Sequence, residues 1–116
     1  MTYYPLTPYS ITKVPATIGV YYLGHMKDGK FILRYVGRDD VDIQRRLREH
    51  ITAIEANKEP RYTHFTYLAC STASQAYRLE CETFHLRRSE ITNEIHPAKP
   101  AGDVKVNCPY SHCDHH

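Results

Sequence analysis

Two glycine-flanked tyrosines stand at the two ends of one hairpin pattern. The stretch IGVYYLGHMKDGKFILRYVGRDD begins near Gly19-Val20-Tyr21 and closes on Tyr35-Val36-Gly37, with Asp28-Gly29 between them. An Asp-Gly pair between apolar runs is a strong signal for a two-residue hairpin turn. The pattern therefore predicts that Tyr21 and Tyr35 lie on neighbouring antiparallel strands, which holds two phenols in one ribbon.

Cysteine and histidine form a second group with chemical potential. Cys81 and His85 are four residues apart, so they share one face of a helix. Further candidates follow along the chain, namely His96 and then, in the tail, Cys108, His112, Cys113, His115 and His116. Thiolate sulfur and imidazole nitrogen are the usual ligands of closed tetrahedral zinc sites. We therefore predict a Zn²⁺ site made by Cys81, His85, Cys108 and Cys113, with His112 or His96 as alternative ligands.

Three strands and two helices are predicted to position these residues. The strands cover about 18–26, 30–37 and 62–70, where β-branched and aromatic residues are frequent. A first helix over about 43–57 has an apolar stripe, with Asp40 or Asp42 as its cap. A second helix follows the Ser/Thr-rich turn at 71–74 and runs to about Arg88. The order β-β-α-β-α predicts an α+β domain, a small three-stranded antiparallel sheet flanked by helices.

Irregular segments flank the predicted domain of residues 18–97. Residues 1–17 contain three prolines and are predicted to form an extended N-terminal arm. Residues 98–116 form an irregular Cys/His-rich tail. We expect the tail to pack on the domain, because the helix face that carries Cys81 and His85 would otherwise be bare.

Taken in order, these motifs resemble the GIY-YIG nuclease domain family from about Ile18 to Pro97. Gly19-Val20-Tyr21 is similar to the GIY element, and Tyr35-Val36-Gly37 is similar to the YIG element. The run RRLREH, residues 45–50, resembles the family's helix with its catalytic arginine. AYRLE, residues 76–80, resembles the segment with the metal-binding glutamate, and Asn93 falls where the family has a late asparagine. The triplets are common by chance, so the resemblance rests on the ordered set.

The resemblance implies a site that hydrolyses phosphodiester bonds. Tyr21 would be the general base or a proton relay, and it needs a nearby cation because a free phenol titrates near ~10. Tyr35 would orient water or hydrogen-bond the scissile phosphate. Glu80 would hold one divalent ion, Mg²⁺ or Mn²⁺. The remaining implied residues are Arg46 for phosphate charge, and His50 and Asn93 as supporting ligands to phosphate or water.

Helix geometry decides between two adjacent arginines. Counting from Gly37 by the family's usual loop length favours Arg45, whereas alignment on RRL-x-x-H favours Arg46. At ~100° per residue, Arg45 points away from the apolar stripe, and Arg46 lies at its border, one turn before His50. We therefore assign the phosphate to Arg46. Arg38, Arg45 and Arg48 are predicted to contact DNA.

Composition limits the class of protein. The chain has 116 residues, of which 41% are hydrophobic and 24% are charged, as in one ordinary globular domain. It contains no apolar run of membrane-spanning length and no signal-peptide pattern at its start. We therefore expect a cytoplasmic (intracellular) protein without a membrane partner. The net charge of +2 says nothing by itself about nucleic acid.

The sequence thus leads us to expect a metal-dependent DNA endonuclease. It has no helix-turn-helix pattern, long basic arm or repeat, so DNA targeting would be weak, structure-directed or supplied by a protein partner. Two alternatives remain on the same fold. One is a nucleic-acid-binding module that has lost catalysis, and the other is a zinc-stapled interaction domain whose tyrosines are structural.

Overall fold

Helices cover both faces of a four-stranded antiparallel sheet. The computed structural model describes residues 1–102, 106–110 and 113. In chain order, the elements are β1 (Tyr4–Pro5), α1 (Pro8–Ile11), β2 (Gly19–Lys27), β3 (Lys30–Asp39), α2 (Ile43–Glu55), β4 (His64–Ala69) and α3 (Ala73–Leu86). The strands are ordered β1-β4-β2-β3 across the sheet, so β3 is an edge strand. Among the helices of the described residues, none is both long enough and apolar enough to span a membrane.

The predicted α+β class is confirmed, but the three-stranded sheet with two helices is wrong. Residues 1–17, predicted as an extended arm, contain β1 and α1. Tyr4 pairs with Phe65 of β4, and the Thr7 side chain caps α1 by accepting the Ser10 N–H. A strand of two residues and a helix of four are too short to show a hydrophobic period, which explains why the sequence pattern missed them.

β2 and β3 form the hairpin that Asp28-Gly29 predicts. Both turn residues have left-handed φ values, 52° and 76°, as a two-residue type I′ turn requires. Tyr21 lies opposite Gly37, Leu23 lies opposite Tyr35, and a bulge follows this second pair. The ring centroids of Tyr21 and Tyr35 are 6.5 Å apart. The hairpin therefore presents both tyrosines on one face of the sheet.

Alternation along the strands divides the core in two. On one face, Tyr21, Leu23 and Phe65 pack against Ile11 of α1 and against Ile43, Leu47 and Ile54 of α2. On the other face, Val20, Leu33 and Val36 pack against Ala76 and Phe84 of α3. Asp42, one of the two predicted caps, begins α2 by accepting the Arg45 N–H at 3.0 Å. The apolar stripe of α2 packs on the sheet, and this packing determines which polar residues of α2 lie close to the sheet.

The segment after α3 returns along the edge strand β3. The hydroxyl of Thr92 donates to the carbonyl of Arg34, and Asn93 bonds to the backbone of Val36. Further along the chain, Cys108 and Cys113 pack on Tyr77 and Cys81 of α3. This return brings Cys108 and Cys113 against α3.

Candidate functional site

The buried hydroxyl of Tyr21 is hydrogen-bonded to His50. The Tyr21 oxygen lies 2.7 Å from His50 Nε2, and each side chain is only 1% exposed. Burial lowers the pKa of His50, and the hydrogen bond to the Glu59 carboxylate opposes this only in part. The lowered pKa favours a neutral imidazole at neutral pH, and its Nε2 can accept the Tyr21 proton when the ring hydrogen is on Nδ1. His50, predicted as a supporting ligand, thus directly contacts the first tyrosine.

Gly37 makes room for the Tyr21 ring. A Cβ atom at position 37 would lie 2.4 Å from both Cζ and the hydroxyl oxygen of Tyr21, far inside van der Waals contact. The two residues face each other across the hairpin. The glycine of the second triplet is therefore the partner that lets the tyrosine of the first reach His50.

Both phenols of the hairpin stay protonated at neutral pH. Burial raises the pKa of Tyr21 well above its ordinary value of 10.0. The charge of Arg46 lowers it, whereas Tyr35, Glu80 and Glu59 raise it. Burial also raises the pKa of Tyr35, again opposed by Arg46. A nearby cation was expected to lower the pKa of Tyr21, but desolvation outweighs it. Tyr21 can consequently take up a proton only while it gives one away.

The two adjacent arginines of α2 differ in how far their side chains are exposed. The Arg46 side chain is 35% exposed, bonds to Glu49 at 3.3 Å, and acts electrostatically on both tyrosines. The Arg45 side chain is 59% exposed and pairs with Asp39 and Glu49. Helix periodicity predicted this placement. The catalytic role of Arg46 stays a prediction, as does DNA contact by Arg45 and by Arg48, which is also exposed.

Glu80 of α3 forms an ion pair with Arg38 of β3. Arg38 Nη1 lies 2.8 Å from Glu80 Oε1, and Arg38 Nε lies 2.7 Å from Asp40. Burial raises the pKa of Glu80, whose side chain is 12% exposed, and Arg38 opposes the shift. The carboxylate acts electrostatically on both Tyr21 and Tyr35. The Arg38 guanidinium is thus held between two carboxylates, and its contact with DNA stays a prediction.

Asn93 fixes the strand segment between Tyr35 and Gly37. Its Nδ2 donates to the Val36 carbonyl at 2.7 Å, and its Oδ1 accepts the Val36 N–H at 3.0 Å. An open depression of about 310 Å³ beside it is lined by Tyr35, Thr92 and Asn93, among others. Asn93 was predicted to bind phosphate or water. In the structure, its amide positions the backbone that carries the second tyrosine.

Sequence reasoning missed Glu59, which contacts the other nitrogen of His50. Glu59 Oε1 lies 2.6 Å from His50 Nδ1. Asn57, just beyond the end of α2, is in the left-handed conformation (φ 58°), and the Lys58 N–H donates back to the Ala53 carbonyl at 2.8 Å. These features turn the chain back over the helix end. The Asn and Pro near this position signal the turn, but no local pattern shows which helix residue the glutamate meets.

Four ligand side chains converge where α3 meets the tail. The ligand atoms of His85, His96, Cys108 and Cys113 all lie within 4.8 Å of one another, so the cluster could hold a metal ion. His96 Nε2 lies 3.2 Å from Cys113 Sγ, and its Nδ1 lies 2.9 Å from the Pro97 carbonyl. In comparison with the predicted set, His96 takes the place of Cys81.

Cys81 lies beside this cluster. It is fully buried with Tyr77 and Cys108. Burial, with a smaller effect of Cys108, raises the pKa of the Cys81 thiol to about 12, against the opposite effect of the neighbouring Tyr77 hydroxyl. Of the alternative ligands named from the sequence, the structure places His96 in the cluster. His112, His115 and His116 lie outside the described residues.

Comparison with protein-family models, with curated proteins and with solved structures finds no match for this chain. Its chemistry is therefore inferred from the tyrosine–histidine site, the Arg38–Glu80 pair and the Cys/His cluster themselves.

Proposed function

We propose that the protein is a metal-dependent endonuclease that hydrolyses phosphodiester bonds in DNA. The observation that carries this proposal is the 2.7 Å hydrogen bond between the buried Tyr21 hydroxyl and neutral His50. A phenol bonded to an imidazole can move a proton away from an attacking water. Arg46 beside it can neutralise charge that develops on a phosphate. The ordered resemblance to GIY-YIG motifs supports the same reaction.

The proposed reaction moves one proton's charge from the attacking water, through Tyr21, to His50. The attacking water gives a proton to the Tyr21 oxygen, directly or through one bound water, as the Tyr21 proton passes to His50 Nε2. The water oxygen bonds to phosphorus, and the bond from phosphorus to the leaving oxygen breaks. The leaving oxygen takes a proton from solvent, Tyr21 keeps the proton that it took from the water, and the His50 imidazolium later releases its extra proton to solvent. Tyr35, which is only partly buried, would orient the water or the phosphate.

Glu80 would hold the catalytic Mg²⁺ or Mn²⁺ ion. It lines an open depression of about 400 Å³ together with Asp40 and Arg38. Because Glu80 Oε1 accepts from Arg38, its Oε2 is the oxygen that would meet the ion, a hard cation that takes one or two protein carboxylates and keeps several waters. When bound, such an ion stabilises charge on the phosphate and on the departing oxygen.

A pair of neighbouring tyrosines tests the reaction. Tyr21→Phe removes the hydroxyl that bonds to His50, whereas Tyr22→Phe changes the opposite face of the same strand. Losing the proton relay should lower the single-turnover rate on a labelled DNA duplex about a hundredfold or more, as general acid–base catalysis typically contributes. Tyr22→Phe should cut at close to the parent rate. Equal rates for Tyr21→Phe and the parent would contradict the proposal.

We propose Zn²⁺ as the ion of the Cys/His cluster. Two imidazoles and two thiols make a common structural zinc set, in which ligand atoms lie roughly 3.3–3.8 Å apart once the ion is bound. The four ligand atoms lie within 4.8 Å of one another, so they need to move only slightly closer to bind the ion. The Nδ1 of His96 lies on the Pro97 carbonyl, which leaves Nε2 for the ion. Four protein ligands would make the site structural, fastening the tail to α3.

Loss of the zinc site should destabilise the protein, because metal binding is part of its folding free energy. Cys108→Ser should lower both the zinc content measured by elemental analysis and the melting temperature. Chelation should lower the melting temperature of the parent more than that of Cys108→Ser. Cys70→Ser changes a buried thiol outside the cluster, and it should keep the zinc, as should Cys81→Ser. Parent protein with under about one zinc per several chains after zinc-supplemented expression would contradict the assignment.

DNA contact outside the reaction centre would come from the exposed side of α2. Arg45 and Arg48 lie there, and they would bind backbone phosphates without reading sequence. Targeting would then be weak, structure-directed or supplied by a protein partner. DNA binding without cleavage would instead favour the catalytically inactive module.

A further inference from the structure

A continuous hydrogen-bonded chain links three separate segments through the interior. Tyr21 comes from β2, His50 from α2, and Glu59 from the loop after α2. The two links are 2.7 Å, from the phenol to Nε2, and 2.6 Å, from Nδ1 to the carboxylate. The imidazole is almost completely buried, while the Glu59 side chain is 25% exposed. The chain thus runs from the reaction centre to a carboxylate in partial contact with solvent.

The groups around His50 shift its pKa by unequal amounts. Tyr21 and Tyr35 contact it from the sheet, with ring centres 5.3 Å away in each case. Burial lowers the pKa of His50 most strongly, the hydrogen bond and charge of Glu59 raise it, Arg46 lowers it, and Glu49 raises it least. Glu49 is also engaged by both Arg45 and Arg46. Glu59 is therefore the main group that keeps the buried imidazole basic.

We infer that Glu59 is a positioning residue that accepts the Nδ1–H of His50 and so keeps Nε2 as the acceptor for the Tyr21 proton. An imidazole with its proton on Nε2 would face the Tyr21 hydroxyl as a donor and could take nothing from it. The carboxylate also stabilises the imidazolium that forms when the proton arrives, the role of the third member in a serine–histidine–aspartate triad. The catalytic meaning of this inference rests on the proposed nuclease function, whereas the tautomer does not.

The first test reads the imidazole directly. Nitrogen NMR of protein with ¹⁵N-labelled histidine, with His50 assigned by its loss in His50→Gln, reports which nitrogen carries the proton. At pH 7 we expect a protonated Nδ1 and a bare Nε2. Glu59→Gln keeps a carbonyl acceptor, so the tautomer should persist while the pKa of His50 falls by about one unit. Glu59→Ala should lose the tautomer preference, and Glu55→Gln, an exposed change on α2, should alter neither.

The second test is the pH dependence of cleavage. The acid limb should follow protonation of His50, since an imidazolium cannot accept the Tyr21 proton. Losing the Glu59 charge lowers the pKa of His50, so Glu59→Gln should move the midpoint of that limb down by about one pH unit. The plateau rate should fall about tenfold, because the imidazole becomes a weaker base. A residue with only a structural role would lower the rate without moving the limb.

Two NMR outcomes would overturn the inference. One is a His50 titration in Glu59→Gln identical to that of the parent. The other is a parent His50 protonated on both nitrogens at pH 7, which would mean an ion pair rather than a relay. Absence of cleavage by the parent would overturn the proposed nuclease function, while the NMR result would still decide the role of Glu59.

Discussion

Replacing Glu80 by glutamine is expected to abolish metal-dependent cleavage of DNA. The neutral amide cannot hold Mg²⁺ as a carboxylate does, so the reaction loses charge stabilisation worth several kcal/mol. We expect the single-turnover rate to fall by about a thousandfold or more. The amide oxygen can still accept from Arg38, and Asp40 still pairs with that guanidinium, so the fold and DNA binding should stay near normal.

Glu82→Gln provides the matched control for this change. Glu82 lies two residues further along α3, is exposed, and is absent from the depression that Glu80 lines. The Glu82→Gln variant should cleave DNA at the parent rate. If Glu80→Gln cleaves DNA like the parent at saturating Mg²⁺, the assignment of the metal to this carboxylate is wrong.

The second large effect is expected at Arg46. Its charge acts electrostatically on both hairpin tyrosines, and its side chain is 35% exposed. We expect its guanidinium to neutralise charge on a phosphate bound beside these tyrosines, since the long stem of an arginine lets its head reach away from the core. Arg46→Ala should lower the cleavage rate a hundredfold or more, on the order of ~3 kcal/mol, the usual cost of losing one preorganised charge stabiliser.

Arg45→Ala is the comparison that makes the Arg46 result interpretable. Arg45 is the more exposed of the two, and it pairs with Asp39 and Glu49 at the surface. Its loss should mainly weaken the salt-dependent part of DNA affinity, and only modestly. Cleavage rates and binding measured across a salt series separate the two effects. If the two variants exchange these behaviours, the register of the site is off by one residue.

Local sequence signals predicted the central part of the fold because that part obeys local rules. Asp28-Gly29 specifies a turn that only residues tolerant of positive φ adopt readily, and it fixed the position of the hairpin. The stripe of α2 predicted which side of the helix is buried, and with it the different placements of Arg45 and Arg46. β1 and α1 carry no such signal, because they are too short for a period; β1 depends on pairing with β4, and α1 on packing against α2.

Tertiary packing supplied what the sequence could not. The spacing of Cys81 and His85 predicts a shared helix face, but tertiary packing decides that His96 joins His85, Cys108 and Cys113 in the cluster. Glu59 meets His50 only because the chain turns back at Asn57. The raised pKa of Tyr21 follows from burial that no motif reports, and of the two expected roles, general base or proton relay, it favours the relay.

The central claim is that this small domain cuts DNA with a bound metal ion, and plasmid cleavage by the purified parent tests it most directly. Supercoiled plasmid is incubated with the protein in Mg²⁺ or Mn²⁺, and in parallel with an excess of chelator. We predict conversion to open-circular or linear DNA with the metal and none with chelator. Plasmid that stays supercoiled with either metal, in the presence of folded protein that binds the DNA, would contradict the claim.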